Sequence, residues 1–169
     1  VPTFACTEPT ASNVLCNSTL TDSLTGWLPW NKAREYPQAL ARVAARGVPG
    51  AAHAVRIENP WRALVGVQQL VPVVSGATYR LSAWARSCAT NDAQALFGGR
   101  VALYLPPQSE QQLVWMGECT QWTPQEKEFV NVVDGRACVY VHMGYGGVGS
   151  TGEFANVRLE RLEPPAAGK

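Results

Sequence analysis

Between Tyr79 and Arg86 the chain reads Tyr-Arg-Leu-Ser-Ala-Trp-Ala-Arg, and its alternation separates two chemistries. On a strand, successive side chains point to opposite faces. Tyr79, Leu81, Ala83 and Ala85 therefore share one face, and Arg80, Ser82, Trp84 and Arg86 the other. The first set suits a sandwich core. The second sets an indole between two guanidiniums and a hydroxyl, groups that stack on an apolar ring face and hydrogen-bond its polar rim. The pattern recurs in residues 136–145, where Tyr140 and His142 oppose Val139, Val141 and Met143, and in residues 99–105, where Tyr104 opposes Val101, Leu103 and Leu105. Trp30, Trp61 and Tyr145 stand beside turns. Gln68 and Gln69 lie in the β-rich run before Ser75-Gly76. Trp84, Arg86, Tyr140 and His142 are expected on one shared outward face, available to a ligand. The competing role for Trp84 is a tryptophan covered by a loop on the outer sheet, and for Tyr104, Tyr140 and His142 a surface residue chosen for strand propensity, while Trp27, Trp115 and Trp122 read as core or strand-edge packing.

Catalysis has little support in these residues. There is no Gly-x-Ser-x-Gly elbow, and neither His53 nor His142 lies near an obvious nucleophile–acid set. Glu118, Glu126 and Glu128 supply carboxylates in a number that a glycosidase could use, but their alternation reads more simply as solvated faces. The glycine-rich run 144–152 lacks the Gly-Lys-Ser/Thr ending of a phosphate loop and reads as a long hairpin. The chain is not expected to be an enzyme.

The elements that must position these side chains are short strands. Runs at about 14–20, 52–58, 63–74, 77–88, 99–105, 111–119, 126–133, 136–145 and 153–162 are separated by Asn59-Pro60, Ser75-Gly76, Gly98-Gly99, Pro106-Pro107, Thr123-Pro124 and Asp134-Gly135. Such spacing predicts an all-β antiparallel sandwich or barrel. One helical window, residues 36–46, ends at Gly47. The 169 residues suit one domain, expected over 13–162 with an N-terminal segment 1–12 and a linker-like tail 163–169. Charged residues are only 16% and the formal net charge is +1 without a basic block, which argues against nucleic acid as a partner. No apolar run approaches the ~20 residues of a membrane helix. The start at Val1 reads as a mature or excised segment.

Five cysteines, Cys6, Cys16, Cys88, Cys119 and Cys138, form no Cys-x-x-Cys pair, so no zinc site is expected. Their scatter fits an oxidising compartment, hence a secreted or cell-surface protein with two bridges and one free thiol. Cys6–Cys16 would pin the amino-terminal segment, and Cys88–Cys138 is the expected second bridge. Buried free thiols are the competing reading. Asn17-Ser18-Thr19 satisfies the N-glycosylation pattern.

The order of these pieces resembles the jelly-roll carbohydrate-binding modules related to families 4, 9 and 22, within the galactose-binding-like β-sandwich group. The central likeness is a Gln-containing strand (Gln68-Gln69), a turn (Ser75-Gly76) and the Tyr79–Arg86 strand. Leu15-Cys16-Asn17-Ser18-Thr19-Leu20-Thr21 with Gly26-Trp27 stands where those modules carry their opening motif. Trp122, Phe129, Val139-Tyr-Val-His-Met143 and Phe154-Ala-Asn-Val-Arg-Leu159 follow the order of their closing strands. The resemblance implies a jelly-roll sandwich with one short helix and a non-catalytic module that binds a glycan or polysaccharide in a groove across one sheet. Trp84, Arg86, Tyr104, Tyr140, His142, Trp30, Trp61, Gln68 and Gln69 would then be the ligand-binding residues, and other domains of a larger protein are possible partners. An adhesive sandwich mediating protein–protein contacts is the alternative. Members of the group often hold a structural Ca²⁺ on acidic side chains. Thr21 and Ala155-Asn156 stand at those places here and withhold the carboxylates Ca²⁺ prefers, so no cofactor is expected.

Overall fold

A computed structural model describes residues 12–88, 98–105, 109–116, 119–145 and 149–163. Ten strands are assigned among the described residues: β1 (Leu28–Asn31), β2 (Leu40–Ala44), β3 (His53–Asn59), β4 (Val65–Val73), β5 (Thr78–Ser87), β6 (Gly99–Leu105), β7 (Ser109–Trp115), β8 (Thr123–Val130), β9 (Gly135–Met143) and β10 (Ser150–Leu162). They form two five-stranded sheets of order β1-β4-β9-β6-β7 and β2-β3-β10-β5-β8. Every strand pairing is antiparallel. The architecture is the expected all-β sandwich.

Alternation builds the core. On β5, Tyr79, Leu81, Ala83 and Ala85 are buried beside Phe154 and Leu159 of the neighbouring β10, and Ala137, Val139, Val141 and Met143 of β9 meet them from the other sheet with Val65, Val67, Val101 and Leu103. The outward residues of each sheet are thereby left free to form surfaces. At one side the two sheets are joined across their edges by a side chain. Gln125 of β8 accepts from the Val114 amide at 3.0 Å and donates back to the Val114 carbonyl, while the Trp115 indole donates to the Thr123 carbonyl at 2.9 Å. Trp115, read above as packing, is buried in the core.

Two expected elements are corrected. Residues 36–46 do not form a helix: a single 3₁₀ turn, Pro37–Ala39, leads directly into β2, whose Leu40–Ala44 pairs with His53–Ile57 of β3. Residues 14–20 form turns instead of a strand. Asn17 and Leu20 both adopt positive φ, 46° and 55°, and the Asn17 side-chain amide donates to the carbonyls of Asp22, Ser23 and Thr25. Because that nitrogen is the atom a glycan would occupy, N-glycosylation at the Asn17 sequon would dismantle the turn.

The cysteine pattern is corrected too. Cys88, Cys119 and Cys138 are free thiols. Cys88 follows β5 on the outer face of one sheet and Cys138 lies on the outer face of the other. Sheets pack about 10 Å apart, beyond the roughly 7 Å Cα separation that a disulfide tolerates, so the Cys88–Cys138 bridge is excluded. Cys16 is disulfide-bonded, and its expected partner Cys6 lies outside the described residues.

Candidate functional site

The outer face of the β1-β4-β9-β6-β7 sheet carries a cleft of about 340 Å³ lined by Trp30, Tyr104, Tyr140, His142 and Tyr145, together with Glu110 and Gln112. Strand register puts these residues in rows. Trp30 of β1 lies opposite Gly66 of β4, Gly66 opposite His142 of β9, and His142 opposite Arg100 of β6. The next row runs Leu28, Gln68, Tyr140, Ala102 and Gln112. Gly66 has no side chain to fill the space between neighbouring rings, and Trp30 packs there with its ring centroid 4.6 Å from Tyr140 and 5.2 Å from His142, tilted about 50° to both. Tyr145 closes the far end, its ring 4.0 Å from the buried Arg100 guanidinium.

Electrostatics leave the aromatic centre of the cleft uncharged. Burial pushes the His142 imidazole down to about 4, an effect that the Met143 carbonyl opposes and Arg100 reinforces. Burial likewise pushes the Tyr140 phenol up to about 12, with Cys138 beside it adding to the shift. At neutral pH both groups are neutral hydrogen-bonding partners flanked by aromatic faces.

A prediction follows from the His142 shift. The unfolded chain takes up a proton near the ordinary histidine value of about 6.5, whereas the folded chain resists protonation until near 4. Between those values the unfolded state binds more protons, so stability falls as pH drops. The expected loss across that window is about 3 kcal/mol. It should show as a pH-dependent fall in the denaturation midpoint that His142→Gln flattens. An unaltered slope in the variant would assign the effect to other groups.

Trp30, Tyr104, Tyr140 and His142 are thus brought together, with Gln68 beside them accepting from the Cys138 thiol at 3.6 Å. Trp84 and Arg86 are not. They lie on β5, on the outer face of the opposite sheet, so the expectation of one face shared with Tyr140 and His142 is wrong. Alternation assigns a side to each residue within its own strand, but which sheet the strand joins is settled by long-range pairing. Gln69 points into the sandwich, where its amide accepts from the Cys16 amide at 2.7 Å and donates to the Cys16 and Gly26 carbonyls. Trp61 stacks on Tyr36 at 4.8 Å and packs against the core, away from the cleft. The cleft residues not singled out from sequence are Leu64, Ala102, Glu110 and Gln112. Extending the period-2 alternation two residues toward the start of β7 exposes the Glu110–Gln112 pair.

Among the described residues no cluster of three or more His, Cys, Asp or Glu is placed to hold a metal. The surroundings of Thr21 and Asn156 do not fit a Ca²⁺. The guanidinium of Arg42 hydrogen-bonds the Leu20 and Thr21 carbonyls at 2.8 and 3.1 Å, and Asn156 spends its amide on the Pro49 carbonyl.

No family model matches the chain, and no curated protein matches it in sequence. Solved structures match it in fold. The CBM22-1 xylan-binding domain of Paenibacillus barcinonensis Xyn10C superposes with a TM-score of 0.63 at 10% identity, over 93% of this chain and 99% of that one. A family 61 carbohydrate-binding module in complex with β-1,4-galactotriose gives 0.61 at 19% identity, over 89% and 99%. An arabinose-bound family 51 α-L-arabinofuranosidase gives 0.63 at 18% identity over 89% of this chain, which spans only 26% of the enzyme's length. At these identities the likeness establishes a shared fold, that of jelly-roll carbohydrate-binding modules.

Proposed function

We propose that this chain is a non-catalytic module of a secreted or cell-surface protein that binds a neutral glycan in the cleft formed by Trp30, Tyr104, Tyr140 and His142. The observation that carries the reading is the Trp30–Tyr140–His142 cluster above Gly66, an open aromatic platform flanked by hydrogen-bonding side chains. Sugar rings present apolar C–H faces to such platforms, and Gln112, Glu110 and neutral His142 supply polar partners for the hydroxyls. Modules of this fold bind xylan and β-1,4-galactotriose, so those polymers are the first probes. A shallow cleft desolvates few groups, and dissociation constants between about 1 μM and 1 mM are expected. The disulfide at Cys16 supports an oxidising compartment.

Affinity electrophoresis through xylan or galactan is the test. The protein should be retarded by at least one of them, and Tyr140→Ala and Trp30→Ala should each abolish retardation with a retained β-sheet circular dichroism spectrum. Migration unaffected by either polymer, or retardation that survives both substitutions, removes the reading. One observation favours protein contact instead. Leu28 and Leu70 extend the same face as exposed apolar side chains, Leu70 at 62%. An adhesive role predicts that Leu70→Asp disrupts partner capture while polysaccharide retardation is absent throughout.

A further inference from the structure

On the opposite sheet, Trp84 borders a second cavity of about 430 Å³ lined also by Ser82, Glu126, Asn156, Arg158 and Glu160. The cavity lies beside an irregularity in β10. Register against β5 shifts between Ala155 and Arg158, and Asn156 within that bulge has φ of 49°. Bulges re-aim side chains at the cost of ladder hydrogen bonds. This one lies on the central strand of its sheet, where pairing to β3 and to β5 would otherwise continue. Val157 still turns into the core while Arg158 turns outward, its guanidinium held by Glu160 at 2.8 Å. The Trp84 ring is partly buried against the Ala54–Ala155 cluster, which fixes its plane.

We infer that this cavity is a second saccharide-binding site on the face opposite the Tyr140 cleft, with Trp84 as its stacking platform, so that the chain engages glycans on both sheets. The mixed charge sets the ligand class. Arg158 disfavours a cation and Glu126 and Glu160 disfavour an anion, while all three serve a neutral ring rich in hydroxyls. Ser82 and Asn156 add short polar groups at the wall. The site shares no lining residue with the cleft, so its existence does not depend on the function proposed above.

The test is nuclear magnetic resonance of nitrogen-15-labelled protein titrated separately with xylose, galactose, glucose and arabinose. Trp84→Phe assigns the Trp84 indole N–H. At least one sugar should shift that signal saturably in the millimolar range, equally in the parent and in the Trp30→Ala/Tyr140→Ala variant. Glu126→Gln should weaken the response about tenfold, the effect of losing a charge-assisted hydrogen bond. An indole that no sugar moves, or a response unaffected by Glu126→Gln, overturns the inference. A shift at Trp84 upholds this site whatever the Trp30 indole does, and a shift at Trp30 alone removes this site while leaving the cleft.

Discussion

Gly66→Ala should lower stability by about 3 kcal/mol and remove the aromatic platform in the same step. A Cβ at this position would overlap the Val141 carbonyl oxygen and lie 2.7 Å from His142 Cα, so the clash is with the backbone of β9, which cannot rotate away. Relief requires β4 and β9 to separate at the centre of their sheet, beneath the ring of Trp30. In a domain of this size the loss corresponds to a fall of about 6–12 °C in melting temperature. Gly47→Ala is the control. Gly47 also lacks a side chain and has φ of 90°, but nothing lies within 4 Å of its virtual Cβ. That substitution should cost only the backbone strain, about 1 kcal/mol, and leave polysaccharide retardation intact. Similar melting temperatures for the two variants would contradict the close approach of β4 to β9.

What was legible in the sequence follows from the range over which each determinant acts. The Tyr79–Arg86 alternation is a local property, and β5 appears where it was expected with its apolar side inward. The same holds for residues 99–105 and for Tyr140 and His142. Residues 36–46 misled because alanine, leucine and arginine at that spacing satisfy a helical pattern locally, whereas hydrogen bonding to β3 across Leu40↔Ile57 to Ala44↔His53 decides the outcome. Around Asn17 the β-forming residues were outvoted by an amide that satisfies three carbonyls at once.

Placement between sheets is a different kind of information. Trp84 and Tyr140 each point outward as their strands dictate, yet β5 pairs with β8 and β10 while β9 pairs with β4 and β6. Nothing within either strand encodes those partners. The same gap produced the Cys88–Cys138 expectation, which used strand ends without knowing that the strands belong to different layers. Gly66 was available as a signal, since glycine inside a strand often marks a close backbone approach. It marks the point where Trp30 and His142 flank a strand position without a side chain.

Replacing both Arg56 and Arg86 with methionine, which keeps Glu153 covered but removes the charges, should destabilise the protein by about 3–5 kcal/mol at neutral pH and reverse the sign of the Glu153 contribution in acid. Glu153 is 1% exposed and receives Arg56 at 2.8–3.0 Å on one carboxylate oxygen and Arg86 at 2.7 Å on the other. Burial alone would push its carboxyl up, but the two guanidiniums outweigh that and hold it below the usual range. In the parent, then, the ion-pair contribution is fully present above the unfolded carboxylate value and is lost as pH falls through the lower folded value. Without the arginines, burial is left unopposed and the folded value rises above the unfolded one. The variant's Glu153 term should therefore grow as pH is lowered from about 7 toward 5 while the parent's stays constant, so that, with the His142 loss common to both, the gap in stability between them narrows. The neighbouring thiol reports the same change. Cys88, pushed up to about 11 by burial and by Glu153, hydrogen-bonds that carboxylate. Guanidinium chloride midpoints measured across this range decide the matter, and a variant whose midpoint falls on acidification as steeply as the parent's would show that Glu153 is not held charged by the two arginines. Glu153→Gln separates charge from packing, because it keeps the side-chain volume and one acceptor while abolishing the titration. Its stability loss should be smaller than that of the double variant, since the arginines, 40% and 33% exposed, regain water when the carboxylate is gone, whereas a buried carboxylate stripped of both partners cannot.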